Sequence, residues 1–316
     1  MSPPIVFDRH LLRARRRRAR KLGAVTFLVD RAAEDLAERL GAVLRRFATA
    51  VDLATPTDAA RRVLAANAAV GTIIAADALA CDWKDQPGLK VVADEEALPF
   101  RNESLDLVVS LLGLQFVNDL PGVLAQIRRA LKPDGLFLAA LAGGDSLIEL
   151  RQSLTAAEAE IEGGVSPRVA PFADLRDLGA LLQRAGFALP VTDVDRVVVR
   201  YASPFHLLHD LRRMGATNAL VERRRRFSRR ATLMRMTENY TARFADADGR
   251  IRATFDIVWL SGWAPHETQQ KPLRPGSAAH RLADALGTRE ISLVPASEVR
   301  DTPQRPPTRT SEAKGD

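Results

Sequence analysis

Between Val91 and Arg151 the chain reads VVADEEALPFRNESLDLVVSLLGLQFVNDLPGVLAQIRRALKPDGLFLAALAGGDSLIELR. Its apolar residues come in nearly unbroken runs, Leu89 to Ala93, Leu105 to Leu112 and Gly135 to Ala142, rather than in the alternation of a half-exposed strand. Runs of roughly four to eight such residues bounded by turn signals predict strands buried on both faces. A helix from about Pro121 to Leu131 separates the last two; Pro121 suits its first turn, and the KPDG turn at Lys132 to Gly135 ends it. Strands alternating with helices or crossovers point to a mainly parallel, doubly wound α/β sheet, whose ligands gather at the carboxyl ends of its strands.

The pattern extends in both directions. Residues 48–54 (ATAVDLA) and 71–77 (GTIIAAD) read as the first two strands, with PTDAARRVLAANAA as a helix between them. Downstream, SLTAAEAEIEGG and Asp174 to Phe187 read as helices, while Val191 to Tyr201 and Thr254 to Trp263 read as two more strands. A polar, arginine-rich helical insertion fills about 202–250. Ahead of the sheet, residues 1–47 form a helical segment in which Phe27, Leu28, Ala32, Leu36, Leu40 and Leu44 predict one apolar stripe facing the sheet. The α/β domain is thus expected over 48–294, and 295–316, rich in Pro, Thr and charge, as a disordered tail.

Charge narrows the choice of partners. The net +7 comes largely from arginine, concentrated in Arg13 to Lys21 and Arg223 to Arg230. Aromatic residues make up only 5%, too few for the base-stacking platforms of single-strand nucleic-acid binders, so nucleic acid is not the expected partner. The two runs read as solvated helix faces, open to an acidic protein or to peripheral contact with an anionic membrane. No apolar stretch is long enough to cross a membrane and no secretory signal is evident, so a cytoplasmic protein is expected. Cys81, the single cysteine, cannot form an internal disulfide, and His206 and His209 lack the companions of a metal site; no metal is expected.

Three strand ends carry the chemistry of a nucleoside site on such a sheet: the turn after the first strand beginning at Asp52, Asp77 closing the second, and Asp94 with Glu95 after the third. A carboxylate after the second strand can accept both ribose hydroxyls, and one after the third an adenine amino proton. Each acid alone is equally a helix cap or turn residue.

On VVADEEALPF, LDLVVSLLGLQF and LAQIRRALKPDGLFL the chain resembles the class I S-adenosylmethionine-dependent methyltransferases. The resemblance implies a Rossmann-like doubly wound sheet of seven strands, the last antiparallel. A narrower resemblance rests on VFDRHLLRARRRRA, LQFVNDLPGVLAQIRRALKPDGLFLAALAGGDSLIELRQSL, EIEGGVSPRVAPFADLRDLGALLQRAGF and SGWAPHETQQKPLRPGSA. These segments look like the BioC-like complex I assembly factor 5 group. That likeness implies a bacterial relative of proteins that hydroxylate an arginine on the iron–sulfur subunit of respiratory complex I. It also implies S-adenosylmethionine as ligand, with Asp52, Ala54, Thr55, Asp77, Asp94, Glu95, Ser110 and Leu111 on the cofactor side. Gln115, Asp145, Glu149 and Arg151 fall on the substrate side.

The family's first loop reads Asp-Leu-Gly-Cys-Gly-Thr-Gly; here Asp52 and Leu53 are followed by Ala54, Thr55, Pro56, Thr57 and Asp58. All three glycines are gone, and Pro56 has no N–H to donate. Thr55-Pro56 suits a helix N-cap with proline at the first helical position, which puts Asp58 at the positive helix end where a cofactor carboxylate would sit. Where relatives tend to carry His-Trp, this chain has Gln115-Phe116, which keeps hydrogen bonding and loses proton transfer. No catalytic base stands out. Methyl transfer, hydroxylation and a non-catalytic assembly role with a degenerate cofactor site all remain open, as does an RNA or small-molecule methyltransferase.

Overall fold

The protein, here a computed structural model that describes residues 4–79, 88–270, 284 and 286–288, turns two of the three apolar runs, Leu105 to Leu112 and Gly135 to Ala142, into central strands. Leu89 to Ala93 instead forms an edge strand on which Leu89 and Val92 are exposed, a correction to its expected burial on both faces. The strands are β1 (Phe47–Leu53), β2 (Val70–Asp77), β3 (Leu89–Val92), β4 (Leu105–Leu111), β5 (Leu131–Gly143), β6 (Ala188–Tyr201) and β7 (Ile251–Trp263). They form one sheet in the order β3-β2-β1-β4-β5-β7-β6. β1 to β5 pair in parallel, and β7 runs antiparallel to both β5 and β6. This is the seven-stranded arrangement with an antiparallel last strand that the resemblance implies. The order reverses between β1 and β4, which opens a crevice at their carboxyl ends.

Alternation along the strands divides the core into two layers. On one face Leu107, Val109 and Leu111 pack with α2 (Phe27–Gly41), α3 (Ala59–Ala66), α5 (Ile148–Glu162), α7 (Pro204–Arg213) and α8 (Arg230–Phe244). On the other, Val108, Phe137 and Leu260 pack with α4 (Leu120–Ala130) and α6 (Leu175–Arg184). α7 and α8 are the helices of the insertion between β6 and β7.

Three local expectations are corrected. The apolar stripe of α2 stops with the helix at Gly41, so Leu44 lies outside it and is 99% exposed. The KPDG segment does not precede β5 but bulges inside it: Leu131 pairs with Leu105 and Leu136 with Leu107, with Asp134 at φ 65°. Thr55 is not a helix cap, because α3 begins at Ala59 with Asp58 as its N-cap.

A further helix, α1 (Arg9–Lys21), lies across the strand ends. Asn118 Oδ1 accepts the N–H groups of Val6 (2.8 Å) and Phe7 (2.7 Å), and Asp8 caps the helix by accepting from Leu11 N–H. On its other side the left-handed Gly215, at φ 72°, lets the backbone after α7 approach Arg16, a position where a Cβ would lie 3.1 Å from the Arg16 Cα. Met1–Gln269 form one unit and Gln270–Asp316 a second, whose described residues include a turn at Leu286 and Gly287. Cys81, much of the KPLRPGSA segment and the tail expected at 295–316 lie outside the described residues.

Candidate functional site at the strand ends

The turn after β1 puts an alanine in a conformation that glycine ordinarily takes. Ala54 holds a left-handed φ of 57°. Gly113, after β4, backs onto it so closely that a Cβ there would stand 2.6 Å from the Ala54 carbonyl oxygen. Thr55 Oγ1 accepts the Leu111 N–H at 3.1 Å and so ties the turn to β4. Leu112, directly after β4, and Leu147, directly before α5, also take positive φ, 50° and 57°. Each such residue costs about 1–3 kcal/mol and persists because the packing around it fixes it.

Asp52 is buried and receives the Arg61 guanidinium on Oδ2 at 2.6 Å, while Oδ1 has no hydrogen-bond partner. Burial pushes its pKa up to about 6, with Arg61 offsetting only part of that cost. The Ser110 Oγ and the Gln115 Oε1 are likewise buried without partners.

The acids after β2 and β3 are held by arginines of α1. Arg9, Arg13, Arg16 and Arg20 project from one helical face toward them. Arg9 bonds Asp94 Oδ1 at 2.5 Å, Glu96 at 3.0 Å and also Glu95 Oε2. Arg13 bonds Asp94 Oδ2 at 2.7 Å; Arg16 lies 3.6 Å from Glu95 Oε1, and Arg20 lies 3.3 Å from Asp77 Oδ2. The remaining Asp77 oxygen accepts the Leu79 N–H at 2.7 Å. Burial raises the Asp94 pKa, but the Glu96 N–H and the two guanidiniums outweigh it and hold the carboxyl below its ordinary value. Arg16 also donates to the Gly113 carbonyl and faces the Phe116 ring, 5.9 Å from its centroid.

The expectation of solvated arginine faces is therefore corrected. In the first run Arg13, Arg16 and Arg20 turn inward to the acids. The second run is not a helix: Arg223 to Arg229 lie between α7 and α8, with Arg223 on Asp8 and Arg224 and Arg229 on Glu162. Arg225 and Arg226 are exposed, as is Phe227.

Next to the arginines lies a cavity of 360 Å³, bounded by Pro56 and Thr57 after β1, Leu112 and Gln115 after β4, Leu147 after β5, and side chains of α5, α7 and α8. Its wall is mostly apolar, with the charged groups Arg16, Arg20, Arg168, Arg213 and Asp256. Of the four substrate-side residues, only Gln115 lines it. Asp145 sits at the surface on Arg196, which also binds Asp256 in a two-pronged pair. Glu149 is buried and accepts from the backbone and hydroxyl of Thr254, tying α5 to β7. Arg151 donates to the Ala170 carbonyl.

A family model described as a methyltransferase domain matches residues 47–139. The chain is 43% identical over 200 residues to the mitochondrial arginine-hydroxylase NDUFAF5 of Danio rerio, covering 63% of this chain and 62% of that protein. With the NDUFAF5 of Homo sapiens the identity is 38% over 281 residues, covering 86% of this chain and 81% of the relative. The chain belongs to the NDUFAF5 family. Among solved structures, BH2331 of Bacillus halodurans C-125, assigned as a methyltransferase, superposes with a TM-score of 0.51 at 16% identity, over 73% of this chain and 98% of that one. That likeness is one of fold, the class I methyltransferase sheet, with helices on both faces.

In this NDUFAF5-family chain the acids expected to hold S-adenosylmethionine stand at the right strand ends but are engaged by the protein's own donors. The carboxylates that would take its ribose and adenine already face guanidiniums or an N–H group, and Pro56 contributes no donor to the first loop. The residues that reading for motifs missed are the four arginines, whose i, i+4, i+7, i+11 spacing upstream of three acidic strand ends was the available signal.

Proposed function

We propose that the protein is a modifying assembly factor of the NDUFAF5 kind, acting from the cytoplasmic side on an arginine of the iron–sulfur subunit of respiratory complex I. S-adenosylmethionine is the ligand proposed for its fold. The observation that carries this reading is the 38% identity sustained over 281 residues, a span far longer than the methyltransferase domain at 47–139. It therefore extends beyond the motif set common to the fold and includes elements that enclose the cavity. The exposed Phe227, flanked by Arg225 and Arg226, supports peripheral contact with an anionic membrane surface during that work. No helix among the described residues is long and apolar enough to cross a membrane.

The test is peptide mass spectrometry on the iron–sulfur subunit from wild-type and deletion cells. The expected result is an arginine peptide of lower mass in the deletion strain, by one methylene where the modification is methyl transfer from S-adenosylmethionine or by one oxygen where it is hydroxylation by molecular oxygen with a two-electron reductant, together with lower complex I activity. An unchanged peptide with a normal complex defeats the proposal. A second reading, assembly without catalysis, is favoured by the absence of all three first-loop glycines; it predicts a defective complex with an unchanged peptide mass.

A further inference from the structure

α1 is anchored differently from α2, the helix that follows it. Of its 13 residues only Leu12 and Ala19 are buried apolar side chains, against six buried positions in the 15-residue α2. What fastens its inner face is charge, and the charges it engages are the carboxylates at the nucleoside end of the sheet. The guanidinium side chains of Arg9 and Arg16 are only 14% and 10% exposed, so these pairs are largely withdrawn from water. Both Asp94 oxygens and both Glu95 oxygens face α1 arginines, and Arg20 stands before Asp77. A ribose hydroxyl or an adenine amino group donates to the same oxygens, so the α1 arginines stand on the approach that a nucleoside would use and compete with it for them.

We propose that α1 is a basic latch on the nucleoside end of this site, and that its arginines must leave Asp77, Asp94 and Glu95 before a nucleoside ligand can bind there. The inference rests on the reading of S-adenosylmethionine as the ligand. A latch held by ion pairs rather than by an apolar stripe can open without exposing a hydrophobic core. Two hinge points flank the helix: the Val6–Phe7 backbone pinned on Asn118 before it, and Gly23, at φ 78°, directly after Leu22. Opening also uncovers one wall of the cavity, since Arg16 and Arg20 line it. The latch thus couples access for the nucleoside to access for whatever occupies the cavity.

The experiment is calorimetric titration of the full-length protein with S-adenosylhomocysteine, comparing wild type with the double variant Arg9→Gln/Arg13→Gln, each checked for folding by its melting curve. Hydrogen exchange of α1 amides in wild type, with and without the same probe, runs in parallel. The expected outcome is affinity at least about tenfold tighter in the double variant, which is 1.4 kcal/mol, and faster exchange over residues 9–21 when the probe binds wild type. Should the double variant fail to fold, Arg13→Gln alone, which frees only the Oδ2 atom of Asp94 while Arg9 keeps Oδ1, is expected to tighten binding about threefold, and the wild-type exchange experiment needs no variant. Equal or weaker binding by the variants, or slower exchange of α1 on binding, overturns the latch and leaves S-adenosylmethionine as ligand. If neither wild type nor variants bind the probe, the ligand reading fails and the latch falls with it.

Discussion

The turn after β1 and the acids after β2 and β3 belong to one sheet edge, yet they depart from a nucleoside site in opposite ways. At β1 the departure lies in the side chains: Ala54 stands in the left-handed conformation that glycine ordinarily takes, and Gly113 approaches it without a Cβ. At β2 and β3 the carboxylates stayed, but their partners are now arginines of the same chain. Backbone geometry is held by neighbours packed at van der Waals distance, and here it tolerates an alanine. A carboxylate's role is set by whatever donor reaches it, and a helix 57 or more residues away in sequence can supply that donor.

The close approach gives the largest effect. In Gly113→Ala the new methyl group meets the Ala54 carbonyl oxygen at 2.6 Å and Ser110 Oγ at 3.0 Å, and the backbone oxygen cannot swing away. A loss of about 3 kcal/mol in chemical denaturation is expected; a neutral variant breaks the view that the β1 turn is fixed by packing. Next comes Asp52→Asn. The Asp52 pKa is pushed up from 3.8 to about 6 by burial, so ionisation opposes folding and its cost is in force above pH 6. The variant is expected to be more stable than wild type at pH 8, by up to about 3 kcal/mol. That advantage shrinks as pH falls below 6, is small by pH 4, and is gone only below about pH 3, where Asp52 is protonated whether folded or unfolded. Denaturant midpoints at pH 4, 6 and 8 test this, and an advantage that grew toward acid pH sinks it.

The smallest effect is the most informative about how the glycines were lost. Ala54→Gly relieves roughly 1–2 kcal/mol of left-handed strain. It also gives up about 0.8 kcal/mol of buried methyl and adds roughly 0.5–1 kcal/mol of unfolded-chain entropy. The two sides nearly cancel, and the variant is expected to melt within about 0.5 kcal/mol of wild type. A larger change in either direction means that the alanine was not an inexpensive replacement.

Much of the fold was legible because central strands such as β4 leave a continuous apolar run. Each of the strands read at 48–54, 71–77, 105–112, 191–201 and 254–263 has its counterpart in β1, β2, β4, β6 and β7. A helix cap rests on a local signal, such as the one read at Thr55-Pro56. It failed at Thr55, whose hydroxyl instead accepts an N–H from β4. Glu149 was read as facing a substrate; burial and Thr254 give it a structural task, and neither is visible in its neighbours along the chain.

The sequence by itself determined the sheet, the helical insertion, the loss of the first-loop glycines and the identity of the acids at three strand ends. These follow from periodicity, residue type and spacing, which are properties of short stretches of chain. Only the tertiary structure decided that Arg9, Arg13, Arg16 and Arg20 close on those acids while Arg225 and Arg226 face water. An arginine carries the same charge in either place. Whether that charge solvates a helix or neutralises a binding site depends on which oxygens the fold brings within about 4 Å of it, and long-range pairing of that kind leaves no periodic trace in the sequence.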